Sequence, residues 1–232
     1  MYYDLHTHTV PPPENKDVCA IVNVSAKHLH LLYQEKDKMP KIGINYLPWG
    51  AERGHHSIGI HPWFITEENV WKELDLIEKY AGLSNVKAIG ECGLDKLCKT
   101  DFNLQKEVFL SQITISEKAG RPLIIHCVKS LCEIIDLKKR TLPKQTWIIH
   151  GFRGKPEQAI QLTNLGFYLS FGLNYNEETI KQIPIEKLFL ETDNGDCNIQ
   201  TIYQKVAKTL GISEQNLILQ IERNAINQAM IA

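Results

Sequence analysis

No apolar run in this chain of 232 residues approaches the roughly 18 residues that a membrane-spanning helix needs, so no span is expected. The opening residues lack a basic stretch followed by an apolar one, which argues against a secretion signal. None of the six cysteines (Cys19, Cys92, Cys98, Cys127, Cys132, Cys197) belongs to a C-x-x-C pair. Reduced thiols in a cytoplasmic protein are the expectation, not a disulfide framework. The formal net charge is only −1, so no global field advertises a nucleic-acid binder, although a locally basic cleft remains compatible. There is no fixed-period repeat, no low-complexity tract and no linker. With 43% hydrophobic and 23% charged residues, the chain can build one substantial core, and a single domain over 1–232 is expected.

Short apolar runs are present and alternate with longer amphipathic ones. Strand-like runs cover Tyr2–His8, Val18–Val24, Ser57–His61, Val86–Glu91, Leu123–Cys127, Trp147–His150, Phe167–Phe171 and Leu188–Asp193. A ninth candidate, Ile42–Leu47, reads better as a connector because Pro40, Pro48 and Gly50 surround it. Helical spacing links Val70, Leu74, Ile77 and Ala81 after Thr66, a candidate N-cap, and Phe102, Phe109, Leu110 and Ile113 after Asp101. Ser213 can cap a helix carrying Leu217, Ile221 and Ala225, and Pro156 suits the first turn of another. Eight strand–helix units predict an α/β fold, a (β/α)8 TIM barrel with its site at the C-terminal ends of the strands. An open doubly wound sheet is the alternative, but no glycine-rich phosphate loop follows the first strand.

Polar residues collect where the apolar runs stop. His6 and His8 end the first run, His61 the third and Glu91 the fourth. His126 ends the fifth, His150 the sixth and Asp193 the eighth. In a barrel all seven converge on one mouth. Side chains two apart share a face of a strand, so His6 and His8 can grip one ion. His28 and His30 follow Ser25 in a helical pattern, where two positions diverge by about 200°, and they read as exposed helical residues. His55 and His56 read as solvated loop residues. Cys92 and Cys127 alternate away from the ligand face and read as packing residues.

Four histidines, one glutamate and one aspartate exceed the roughly three protein ligands of a catalytic zinc site. They suit two divalent ions about 3.5–4 Å apart, with the two oxygens of Glu91 as the natural bridge. On this reading His6, His8 and Asp193 complete one site and His126 and His150 the other. The donors favour Zn, Mn or Ni over Mg. Such ions lower the pKa of a shared water to about neutrality, and their charge suits an anionic substrate. Lys129 and Arg153, just past His126 and His150, are candidate phosphate contacts.

At these residues the sequence resembles the TatD family of metal-dependent deoxyribonucleases, within the amidohydrolase superfamily. The matching pieces are "DLHTH", "GIHPW", "AIGECGLD", "RPLIIHC", "IIHGFRG", "GFYLSFG" and "LFLETD". They span nearly the whole chain, and "IGECGLD" with "LETD" is the specific part. The resemblance implies a slightly irregular TIM barrel that hydrolyses phosphodiesters in DNA. It implies His6, His8, Glu91, His126, His150 and Asp193 as metal ligands, His61 as a contact to substrate phosphate, and Mg as a further metal choice.

The chain departs from the family pattern in two places. Lys96 and Leu97 follow Asp95 where a further "GLDY"-type continuation is usual. "ETDNGDCNIQ" replaces the arginine-rich loop after the last aspartate that helps shape the substrate cleft. The expected activity is two-metal hydrolysis of DNA or another phosphate-containing substrate, with Asp193 and Glu91 catalytic, by a monomer or weak oligomer. The alternative is an ester or amide hydrolase on the same scaffold, acting on a small metabolite or a mischarged aminoacyl-tRNA.

Overall fold

The computed structural model describes residues 1–12, 14–29 and 54–231. The expected connector Ile42–Leu47 and His30 lie outside them. Eight strands follow one another in chain order, β1 (Tyr2–Thr7), β2 (Val18–Ser25), β3 (His55–Gly59), β4 (Val86–Asp95), β5 (Leu123–Val128), β6 (Trp147–Ile149), β7 (Phe167–Phe171) and β8 (Leu188–Leu190). Between and after them run α1 (Val70–Tyr80), α2 (Phe102–Ala119), α3 (Leu131–Thr141), α4 (Pro156–Asn164), α5 (Glu177–Ile180), α6 (Ile199–Leu210) and α7 (Glu214–Asn227). This is the alternation of the (β/α)8 class. The chain divides into two compact units, 1–21 with 146–232, and 22–145. No helix among the described residues is long and apolar enough to cross a membrane. None of the six cysteines forms a disulfide.

In the unit formed by 1–21 and 146–232, β6, β7 and β8 pair in parallel, with Trp147 opposite Phe167 and Leu169 opposite Leu188. Trp147, Phe167, Phe171, Phe189 and Tyr203 are fully buried and fill its core. The α6 face of Ile199, Ile202, Tyr203 and Val206 is buried because these residues recur at helical spacing. Tyr203 locks β1 from both sides, since its hydroxyl donates to the Tyr3 carbonyl (3.0 Å) and accepts from the Tyr3 amide (3.1 Å). Ser213 caps α7 by accepting from the Asn216 amide, and Leu217, Ile221 and Ala225 are buried as their spacing predicts.

In the unit 22–145, β4 pairs in parallel with β3 and with β5. Two buried glutamines of α2 finish the strand ends that carry the polar residues. Gln112 accepts from the Ile60 amide (2.8 Å) and donates to the Ile60 carbonyl (3.2 Å). Gln105 does the same for Asp95, at 2.8 and 3.0 Å. Asp101 caps α2, accepting from the amides of Asn103 and Leu104.

Several boundaries differ from the sequence expectation. His55 and His56 are not solvated loop residues. They open β3, and His56 is buried because it pairs with Val86 of β4 and its amide donates to the Asn85 carbonyl. The cap of α1 is Asn69, not Thr66, whose carbonyl accepts from the amides of Asn69 and Val70 in a turn before the helix. His28 is not an exposed helical residue, because it ends a short 3-10 turn, Ala26–His28, and is half-buried there. β4 runs on to Asp95, so Glu91 lies within the strand, while β8 stops at Leu190, three residues before Asp193.

Candidate metal centre

Each unit gathers histidines around a carboxylate. In the first, strand alternation places His6 and His8 together, with ring centroids 5.0 Å apart. Asp193 Oδ1 lies 3.7 Å from His6 Nε2 and 3.5 Å from His8 Nε2. The segment after β8 is pinned alongside β1 to bring this about. The Asp193 amide donates to the His6 carbonyl (2.9 Å), and the His8 amide donates to the Asp193 carbonyl (3.2 Å). Thr192 donates twice to Asp4, through its amide (3.0 Å) and its hydroxyl (2.6 Å). Burial pushes the Asp4 carboxyl up to about 7, against the opposing pull of those Thr192 hydrogen bonds.

His150 sits just past β6, its ring centroid 4.6 Å from that of His6. Its Nδ1 is 3.2 Å from Glu191 Oε1, which also accepts from the Gly151 amide at 2.7 Å. Glu191 is fully buried, and its Oε2 has no hydrogen-bond partner. A buried carboxylate oxygen without a donor is costly unless a cation satisfies it. The site chemistry of this unit therefore fits a metal ion.

In the second unit Glu91 Oε1 lies 3.2 Å from His61 Nε2 and 2.9 Å from His126 Nδ1, and the two rings are 4.3 Å apart. Asn23 holds Glu91 in place, its Oδ1 accepting from the Glu91 amide (2.8 Å) and from the Ser57 hydroxyl (3.2 Å). The strand register shifts between Ile89 and Cys92. At Gly90 only hydrogen fits, since a Cβ would stand 2.5 Å from the Ile124 carbonyl oxygen.

Asp95 braces the far side of His126. Its Oδ2 accepts from Trp63 Nε1 at 2.7 Å and lies 3.0 Å from His126 Nε2, while its Oδ1 accepts from the Leu97 amide at 2.7 Å. Burial alone would raise the Asp95 carboxyl, but the hydrogen bonds from Trp63, His126 and Leu97 outweigh it and hold it below its ordinary value. A carboxylate on one imidazole nitrogen orients the ring and fixes its proton there. The other nitrogen then keeps its lone pair for a cation.

The ligand atoms of His6, His8 and Asp193 all lie within 4.8 Å of one another, and so do those of His61, Glu91 and His126. A family model described as TatD related DNase matches residues 3–227. The chain belongs to the TatD family. This TatD chain is 33% identical over 171 residues to a TATDN1 homolog of Enterocytozoon bieneusi whose name proposes a deoxyribonuclease, covering 67% of this chain and 62% of that one. It is 36% identical over 151 residues to the metal-dependent hydrolase YabD of Bacillus subtilis, named as uncharacterized, covering 59% of this chain and 57% of the relative. The matched stretch thus spans less than two thirds of either relative. The solved structure of the TatD homolog YJJV from Escherichia coli k12 superposes with a TM-score of 0.78 at 18% identity, covering 100% of this chain and 98% of the other. A TatD family hydrolase from Entamoeba histolytica gives 0.74 at 19% identity, covering 98% and 97%. These likenesses establish the fold, a TIM barrel, as the alternation of strands and helices predicts.

Of the expected ligands, His6, His8 and Asp193 come together, as do Glu91 and His126. His61, expected as a phosphate contact, lies within the Glu91 group. Lys129 and Arg153 are both exposed, Lys129 with a left-handed φ of 54°. Sequence reasoning missed Asp95, Glu191, Asn23 and Trp63. Asp95 is four residues after Glu91 and shares its strand face by alternation, and Glu191 is a carboxylate directly after the apolar run of β8. That signal was available. Asn23, one polar residue in "IVNVS", carried none.

Proposed function

We propose that this TatD chain is a metal-dependent hydrolase that cleaves phosphodiester bonds in DNA through water activated by two divalent ions. Zn, Mn, Ni or Mg are the candidate ions, and His6, His8, Glu91, His126, His150 and Asp193 are the proposed ligands. Bound ions supply Lewis-acid activation of water and offset phosphate charge. Asp193, at the open end of its cluster, takes the proton of the attacking water. Glu91 orients its cluster, while Asp95 keeps His126 in the ligating tautomer. Lys129 and Arg153 hold the phosphate, as a point charge and a fork respectively, and His61 adds a contact on the Glu91 side.

The observation carrying this reading is the pairing of histidines with a carboxylate in each unit of a TatD chain. Replacing Glu91 with alanine tests it, with metal-dependent nucleotide release from single-stranded DNA as the readout. Release should fall to background. Undiminished release by the purified variant would eliminate the reading, and turnover of carbonyl esters without phosphodiester cleavage would select the ester or amide alternative.

A further inference from the structure

Beside His61 two consecutive large aromatics face solvent. Trp63 is 60% exposed and Phe64 50%. Both belong to the short 3-10 turn Pro62–Phe64, whose N-cap is His61, with His61 Nδ1 accepting from the Trp63 amide at 3.1 Å. Exposing two neighbouring rings forgoes the gain of burying them, which marks a contact surface when the rings are also fixed in place.

Trp63 is fixed. Its single polar atom, Nε1, points inward to Asp95 Oδ2 at 2.7 Å, and that same oxygen meets His126. The ring stands 4.9 Å from His61 at 80° and 6.0 Å from His126. With the indole N–H already satisfied inside the protein, what Trp63 offers to the outside is aromatic surface alone. Phe64 lies 5.6 Å from His61, and the ammonium of the exposed Lys27 sits 4.6 Å from the Phe64 ring centroid. Burial holds the Glu73 carboxyl above its ordinary value, and the Lys27 ammonium offsets that only in part.

The geometry points to a base-stacking subsite, in which Trp63 and Phe64 receive the unpaired bases of a single-stranded polynucleotide whose phosphates pass Lys27 and the His61–Glu91–His126 group. This rests on the nucleic-acid reading above and adds the residues that receive the bases. The partner is argued from complementarity. Bare π-faces take bases of any identity, and a cation over one of them suits a polyanion. A paired base inside a duplex keeps its faces on its neighbours and cannot use such rings.

Binding of a short, phosphorothioate-linked oligo(dT) and of its abasic counterpart tests the inference, by fluorescence anisotropy on metal-loaded protein. Trp63→Phe keeps an aromatic face and loses the N–H to Asp95, whereas Trp63→Leu loses both. Trp63→Leu should weaken oligo(dT) by about 10-fold or more, as loss of a stacking partner does. Trp63→Phe should stay close to the parent, and the abasic strand should bind equally weakly to all three. Quenching of tryptophan emission by oligo(dT) should vanish in both variants and persist in Trp71→Phe.

Equal loss in Trp63→Phe and Trp63→Leu would assign Trp63 to positioning Asp95 and overturn stacking. Equal affinity of the parent for oligo(dT) and abasic strand would overturn it while leaving phosphate binding intact. Failure of the parent to bind either strand would overturn it together with the nucleic-acid reading. A self-association lost in Trp63→Leu, with oligo(dT) binding unchanged, would make the aromatic pair a protein interface instead.

Discussion

Glu91 and Asp193 do the same thing to two histidines each, yet one does it inside the protein and the other at its edge. Glu91 is buried, receives Asn23 on its amide, and shares His126 with an Asp95 that Trp63, Leu97 and Gln105 hold in turn. The Asp193 side chain is 36% exposed, and its backbone is what is pinned, to the flanking amide and carbonyl of β1. His6 in that group is wholly buried while His8 is about one third exposed. The difference teaches that a ligand can be positioned by side-chain bracing or by backbone pairing. The two leave different signatures, because a braced group loses stability when cut and a backbone-pinned one mainly loses function.

The largest test of that contrast is activity. Glu91→Ala and Asp193→Ala should each lower metal-dependent phosphodiester cleavage by at least about 10²–10³-fold, the scale of removing one preorganised charged group. A surviving rate in either variant, measured as kcat, would show that its cluster is not needed.

Stability should then separate what activity does not. Glu91→Ala removes the acceptor shared by two largely buried imidazoles and should cost about 1–3 kcal/mol in urea unfolding of the metal-free protein. Asp193→Ala should cost less than about 1 kcal/mol, because the Asp193 carboxylate and its His8 partner are each about one third exposed to water. Equal costs would erase the distinction.

The backbone beneath each cluster gives a third comparison. A Cβ on Gly59 would meet the Gly90 backbone at 2.7 Å, whereas one on Gly151 would meet Glu191 Oε1 at 3.6 Å, an ordinary contact. Gly59→Ala should therefore destabilise by about 3 kcal/mol through overpacking. Gly151→Ala should cost about 1 kcal/mol, from its left-handed φ alone. Thermal unfolding of the pair reads this directly, and the reverse order would mean that the β3–β4 approach is compliant.

Bracing should also show in metal affinity. Asp95→Asn should weaken binding of one ion by about 10–100-fold, the usual effect of losing a carboxylate behind a ligating histidine, and leave the other unchanged. Calorimetric titration with Mn resolves the two; uniform weakening would deny Asp95 a local role. The smallest effect is expected at the helix caps. Asp101→Ala loses two amide partners and should cost about 1–2 kcal/mol, Ser213→Ala loses one and should cost about 0.5–1 kcal/mol. Chemical denaturation of both variants would show whether the unit with the braced cluster also carries the stronger cap.

Alternation of side chains on a strand is a local rule, so the His6–His8 pair was readable from five letters, "DLHTH". The caps Asp101 and Ser213 and the first-turn Pro156 were readable for the same reason, since each acts within a few residues. The burial of His56 was not readable. It depends on the Val86 end of β4 arriving beside it, thirty positions along the chain. Nor was the reach of β4 to Asp95, because Gln105 of α2 supplies the hydrogen bonds that finish that strand.

By itself the sequence determined the fold class and the family and picked out histidines and carboxylates that gather in each unit, because periodicity and short-range spacing encode these. Only the tertiary structure decided which donors share a carboxylate, that Asp95 stands behind His126, and that Trp63 spends its one hydrogen bond inward and leaves its ring in water. Those facts turn on distances between residues far apart in the chain, and such distances are fixed by packing and backbone pairing, which no local pattern records.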